Sequence, residues 1–445
     1  MRPEAEAPEV FDKGESRSSF ERDYDRVVFS FDFRRMQGKT QVLPFAESDF
    51  VHDRLTHSLE TSSIGRSLGK LVGNRLKQQD KLGNYESIDI ATIVSTACLA
   101  HDIGNPPFGH RGEEAIKAFF NFDGNDSYFK DEISKENILS DHQIKDLKSF
   151  DGNPQGLRII INKQRGLGLT YATIGSFIKY PWESLKLNGI DKFGLFLSEK
   201  ESFINVANIL GLVQKSESPL EYCRHPLSFL VEAADDIAYR IIDLEDTIIL
   251  EYMYFHEKIT DILSLEEMQS LNKISRIEDF RDITVEDLLK RIAGTNFNDR
   301  KYSNCKNTKS KYAYLRAMII GSIIEEITEE FFNHYGAIMD GNYGTSLLKT
   351  IKRNDEMRIV QEITRKREYK NQAALQIELS GHEVLGKLLK MILDAYIYPD
   401  PKNSYKRLVQ DLCKINEKDR YKLIMEIIDF ISGMTDSFAL SFFQK

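Results

Sequence analysis

The chain has 445 residues, 41% of them hydrophobic and 29% charged, with a formal net charge of -9. This is an ordinary globular composition, long enough for one large domain or two to three average ones. No run of about 18 or more apolar residues occurs, which excludes a transmembrane helix, and the acidic balance disfavours a general affinity for nucleic acid while leaving room for local basic patches.

Residues 1–16 are acidic and lack an apolar stretch, so a flexible start is expected there rather than a signal peptide. Cys98, Cys223, Cys305 and Cys413 lie far apart without a CxxC pair, which reads as reduced thiols in a cytoplasmic protein. From Arg17 to Arg35 the chain is charged and aromatic, the pattern of a solvated amphipathic helix. Phe33 to Val42 (FRRMQGKTQV) gathers two arginines, a lysine and two glutamines, a set that can bind an anion or a base edge or simply face solvent.

Over residues 52–74, Ile64, Leu68, Leu71 and Val72 follow helical spacing, and His57 falls three residues after Arg54 on the same face. Alone, such a histidine is more often structural than a ligand. Ile88 to Leu99 is rich in Ile, Val, Ala and Thr and predicts a buried helix. That helix runs into the adjacent pair His101-Asp102, whose polar groups need partners inside the protein. Gly104 and Pro106-Pro107 end it. The next helix opens with His110 and, one turn on, Glu113.

Residues 121–150 are polar and charged and read as a variable insertion with short helices of its own. Asp151 to Arg158 (DGNPQGLR) is a turn entering a helix. Thr170 to Tyr180 is a helix broken at Pro181, with Lys179 and Tyr180 at its end, and Lys192 to Phe196 is a loop or short element. Across 226–250, Leu227, Leu230, Val231, Ala234, Ile237, Ala238, Ile241 and Ile242 make a wide apolar face. Asp235 lies within it, with Tyr239 and Asp243 one and two turns on. A carboxylate there is costly unless a cation or strong donor meets it. Beyond residue 251 the chain is mostly helical by period, as in Leu315 to Phe332 and Leu385 to Tyr396, and no chemical motif is legible.

His57, His101, Asp102 and Asp235 together offer two imidazole nitrogens and two carboxylates. Imidazole suits Mn, Fe, Co, Ni or Zn, and carboxylates also admit Mg. Such a set leaves positions open for water and a phosphate oxygen. His110 is not needed as a ligand; it can act as an acid or a base, with Glu113 orienting it. A phosphoester hydrolase follows from these residues.

The same residues resemble the H…HD…D signature of the HD superfamily of metal-dependent phosphohydrolases. More narrowly, the chain is similar to the bacterial deoxyguanosine triphosphate triphosphohydrolases. The matching pieces are FRRMQGKTQV (33–42), RLTHSLE (54–60), HDIGNPPFGHRGE (101–113), DGNPQGLR (151–158), KYPW (179–182) and EAADDIAYRIIDLED (232–246). The resemblance implies an all-α fold: an HD-type catalytic core over 17–250 and a helical C-terminal region over 251–445, packed on the core, with oligomer contacts and a regulatory role. It implies hydrolysis of dGTP, or of other dNTPs, at the α-phosphorus to deoxynucleoside and triphosphate. The expected cofactor is a divalent ion, Mg or Mn, with Co, Ni, Fe or Zn as alternatives.

By the same resemblance His57, His101, Asp102 and Asp235 hold the ion, and Asp235 is chosen over Asp236 because it follows the small apolar residue directly. His110 and Glu113 are the catalytic pair. Arg54, Asn153, Lys179, Tyr180 and Lys192 hold phosphates; Gln41, Tyr239 and Asp243 read the sugar, with Tyr239 crowding any 2′-hydroxyl. A homo-oligomer, hexamer or tetramer, is expected, with single-stranded DNA or a nucleotide effector as further partners and no membrane. The competing readings are another HD-domain nucleotide phosphohydrolase, or a non-catalytic homologue that binds nucleotide or single-stranded DNA.

Overall fold

A computed structural model describes residues 17–41, 52–130, 138–162, 167–186, 192–255, 285–368 and 372–444. The described chain is helical, apart from one antiparallel hairpin of β1 (Gln214–Glu217) and β2 (Leu220–Tyr222). The longer helices in the first half are α1 (Ser19–Val28), α2 (Arg54–Gln78), α3 (Ser87–Ala100), α4 (Gly109–Asn121), α5 (Asp141–Lys148), α6 (Gly152–Ile161), α7 (Tyr171–Phe177), α8 (Lys200–Leu210) and α9 (Ser228–Phe255). They are followed by α10 (Val285–Ala293), α11 (Thr308–Asn333), α12 (Asn354–Glu368), α13 (Gln372–Ile397), α14 (Ser404–Cys413), α15 (Arg420–Ser432) and α16 (Asp436–Gln444). No described helix is long and apolar enough to cross a membrane.

Asp53 starts α2. Its carboxylate accepts from Thr56 N at 2.8 Å while Thr56 Oγ1 accepts from Asp53 N at 3.0 Å, so two otherwise orphaned amides are satisfied reciprocally. α2 then lies along α3 at close range. The contact face of α2 is a stripe of glycines at four-residue spacing, and a Cβ at Gly69 would meet Ala91 Cα at 2.8 Å, one at Gly73 Ser87 Cα at 2.9 Å. Only hydrogen at these positions lets the two backbones approach. α9 crosses both helices.

Two separate hydrophobic cores result. The first joins α1, α2, α3, α6, α7 and α9 to α10, α11 and α12 through Leu68, Val94, Leu157, Ile174, Ala234, Leu289, Ile323 and Val360. The second joins α4 and α5 to α13, α14 and α15 through Ile116, Phe120, Leu147, Leu388, Val409 and Ile424. The stretch 121–150, which reads as a polar insertion, feeds this second core. Tyr128, Phe129, Leu139, Leu147 and Phe150 are all buried in it. They sit on a 3₁₀ turn (Asp123–Phe129), a short helix and two loop positions (Leu139 and Phe150), so their spacing matches no single period.

Candidate metal centre and active site

Three of the four expected ligands converge where α2, α3 and α9 meet. Ligand atoms of His57, His101 and Asp235 all lie within 4.8 Å of one another. His57 Nε2 is 3.2 Å and His101 Nε2 3.3 Å from Asp235 Oδ1. His101 closes α3, and its Nδ1–H donates to the Cys98 carbonyl at 2.7 Å, which fixes the tautomer and turns Nε2 inward. That nitrogen is buried and has no partner in hydrogen-bonding geometry. Lone pairs converging on one carboxylate oxygen are what a divalent cation would satisfy, so the residues present fit the ion that the chemistry demands.

Asp102 stands beside this group, with Oδ1 3.5 Å from His101 Nε2. Its oxygens are also engaged by Arg54 and by Asn105 Nδ2, the latter at 2.6 Å. Asp236 instead accepts from Ser346 Oγ at 3.1 Å and is no part of the cluster. Burial pushes the Asp235 carboxyl upward, but the His101 and His57 imidazoles outweigh it and hold it well below the carboxylate range. Burial likewise lowers His101, yet Asp102 and Asp235 lift it to about 9. Burial raises Asp102, but Arg54, His101 and His57 bring it down to about 2. Both carboxylates are therefore ionised, the form in which they bind a cation.

The second group sits across the loop 104–109. His110 lies in the first turn of α4 with 74% of its side chain exposed, and its Nδ1 is 3.3 Å from Glu113 Oε2. Glu113 is buried. Its Oε1 accepts from Gly152 N at 2.9 Å, which ties α4 to the start of α6. Lys192 Nζ lies 3.5 Å from Glu113 Oε2 and 2.6 Å from Asp151 Oδ2. Burial raises the Glu113 carboxyl, but the hydrogen bond from His110 and the Lys192 charge win and set it at about 2. Asp151, fully buried, is pushed up by burial and by Glu113. Asp151 joins this group through Lys192, although the sequence did not single it out. The signal was its position as N-cap of α6, where its Oδ1 accepts from both Asn153 N and Asn153 Nδ2.

The remaining expected residues line the space between or beside these groups. Arg54 is buried against Asp102, and a Cβ at Gly109 would come within 3.2 Å of its Nη2. Lys179 pairs with Glu232 at 3.6 Å, and Arg224 takes the other Glu232 oxygen at 2.6 Å. Burial lowers Lys179, but Glu232, Tyr180 and the α9 aspartates hold it above the lysine range. Tyr180 stacks edge-on against Trp182, whose indole donates to the Lys192 carbonyl at 2.9 Å. Tyr239 stands one turn beyond Asp235 on α9 and is 36% exposed. Gln41 has a buried Oε1 with no hydrogen-bond partner among the described residues. The side chain of Asp243 falls outside the described residues.

Comparison with known proteins gives the family of the chain. A family model of the HD domain matches residues 54–154, and one of the phosphohydrolase-associated domain matches residues 350–445. A deoxyguanosinetriphosphate triphosphohydrolase-like protein of Synechocystis is 34% identical over 447 residues, covering 96% of this chain and 93% of its own length. One from Listeria innocua is 33% identical, with 96% and 94% covered. A deoxyguanosinetriphosphate triphosphohydrolase of Yersinia pseudotuberculosis is 30% identical, with 92% and 83% covered. HD domains are metal-dependent hydrolases, and the His57, His101 and Asp235 cluster is suited to that chemistry. The chain therefore belongs to the deoxyguanosinetriphosphate triphosphohydrolase family of HD-domain phosphohydrolases.

Proposed function

We propose that this protein hydrolyses dGTP at the α-phosphorus, releasing deoxyguanosine and inorganic triphosphate. The observation that carries the reading is the pairing of two groups across one short loop: His57, His101 and Asp235 on one side, His110 and Glu113 on the other. The names of the relatives supply the base and the products.

A divalent ion held by His57, His101 and Asp235, with Asp102 beside them, supplies Lewis-acid polarisation of a phosphate oxygen. Lys179 and Lys192 bring positive charge toward the triphosphate, while Asp151 and Glu113 hold Lys192 in place. Glu113 is ionised and fixes Nδ1–H of His110, so Nε2 is the nitrogen that faces substrate. Water adds its oxygen to the α-phosphorus and gives up a proton to solvent, the bond from phosphorus to O5′ breaks, and His110 gives O5′ the proton held on its Nε2. Tyr239, one turn along α9 from Asp235, stands against the sugar and leaves no room for a 2′-hydroxyl.

Incubation of the protein with dGTP and manganese tests this by its products. Deoxyguanosine plus triphosphate supports the reading; dGMP plus pyrophosphate would place the protein among other nucleotide phosphohydrolases instead. An acid-labile, base-stable triphosphoryl adduct on His110 would make that residue the nucleophile rather than the proton donor.

A further inference from the structure

We infer that the C-terminal helices set the position of His110, acting through two positioning residues, Asp436 and Lys39, that clamp the loop 104–109. The inference rests on the reading of His110 given above.

The loop needs a clamp. His110 touches Glu113 on its own helix and is otherwise exposed, so its place is inherited from how α4 leaves the loop. That exit runs through two successive left-handed residues, Phe108 at φ 64° and Gly109 at φ 61°. For phenylalanine this conformation is disfavoured and persists only where neighbours impose it. The neighbours are C-terminal. Phe108 N donates to Asp436 Oδ1 at 2.9 Å in a buried setting. The other oxygen of Asp436 accepts from Thr40 N at 3.0 Å and Thr40 Oγ1 at 2.5 Å. The Phe108 ring lies over Gly381 of α13, where a Cβ would fall 2.7 Å from its Cγ.

The other end of the loop is held in the same way. Lys39 Nζ donates to the Asn105 carbonyl at 2.7 Å and to the Ser432 carbonyl at 2.6 Å. Both Lys39 and Asp436 are buried. Asn105 in turn donates to Asp102, and Phe108 stands two residues before His110. The segment 432–436 thus grips the loop at both ends, one near the metal group and one near the imidazole. A buried carboxylate accepting from the one amide that must point backwards fixes a direction, which a purely apolar contact does not.

The test uses the full-length protein with manganese and dGTP. Asp436→Ala is expected to lower kcat about 10²-fold, with KM changed less than about threefold, since misplacement near 1 Å has that cost. Metal content should stay at the wild-type level. Amide exchange in peptides spanning 104–112 should quicken by about tenfold or more, while peptides from α3 stay protected. In the double variant Asp436→Ala/His110→Ala the two losses in kcat should not multiply, because nothing is left to misplace. Asp436→Asn keeps the volume and one carbonyl oxygen, should fall between, and serves if the alanine variant does not fold.

Unchanged exchange at 104–112 in both Asp436 variants overturns the clamp, whether or not the wild-type protein cleaves dGTP. Faster exchange with unaltered kcat, or losses that multiply in the double variant, overturns the link to His110. If the wild-type protein releases no triphosphate, the reading of the site has failed, and exchange alone decides the clamp.

Discussion

The helices that carry His57, His101 and Asp235 pack on one hydrophobic core, and the helix that carries His110 and Glu113 packs on another. On the metal side the critical contact is backbone against backbone, with glycine at Gly69 and Gly73 letting α2 and α3 close up. On the side of His110 the contacts come from far along the chain, through Leu385, Leu388 and Ile424, through Asp436, and through the Ser432 carbonyl that Lys39 meets. The cluster of His57, His101 and Asp235 is thus a product of three tightly packed helices, whereas, on the inference above, His110 takes its place from the last quarter of the chain. Arg158 joins the two cores: it leaves α6 to meet Asp429 of α15 at 2.9 Å and Glu199 at 2.7 Å.

The comparison can be broken first at Asp235. Asp235→Ala removes the oxygen that both imidazoles face, and activity should fall on the order of 10⁴-fold as the ion is lost. Elemental analysis of the purified variant checks this; a full complement of metal would show that another residue holds it. His110→Ala should act on the other side alone. Turnover is expected to drop about 10²- to 10³-fold, with metal content and dGTP binding by calorimetry retained. Loss of metal in that variant would mean that the two groups are not separable.

A smaller effect is expected from Gly69→Ala, which strikes only the first core. Its Cβ would meet backbone, Ala91 Cα at 2.8 Å and Ile90 O at 2.9 Å, so α2 and α3 must part. Overpacking of this kind costs about 1–3 kcal/mol, more than the roughly 1 kcal/mol that alanine adds to helix propensity. Urea midpoints and metal affinity should both fall, and a variant as stable as wild type would show that the helix contact is looser than it stands.

A further effect distinguishes the second core by pH. Asp146 of α5 is buried and accepts from Ser184 Oγ, Leu197 N and Tyr421 Oη at 2.5, 2.8 and 2.7 Å. Burial dominates and raises its carboxyl from 3.8 to about 7. The folded state therefore binds a proton that the unfolded chain releases. Its contribution is complete below about pH 4 and is lost as pH rises through about 7. Asp146→Asn should flatten the decline in stability between pH 4 and 7, measured by urea unfolding at each pH; an unaltered slope would assign the dependence elsewhere.

Much of the chemistry was legible along the chain, because each side chain in it is polar and stands where apolar periodicity leaves no room for it. His101-Asp102 closes a buried apolar helix, and Asp235 interrupts an apolar face; both stand out against the 3.6-residue period of their helices. Asp151 and the buried aromatic residues of 121–150 did not stand out. Asp151 reads as an ordinary turn residue until Lys192, about 40 residues on, is seen 2.6 Å away. Tyr128, Phe129 and Phe150 are diluted by charged neighbours and belong to no repeating face.

The sequence by itself determined the helical class and set out the candidate ligand types and the candidate pair His110 and Glu113, since these follow from local periodicity and from residue chemistry at short spacing. Only the tertiary structure decided that Asp102 is shared with Arg54 and that Asp436 reaches back to Phe108. The reason is physical. Periodicity says which face of a helix is buried, but a hydrogen bond across 328 positions depends on where two cores come to rest against each other.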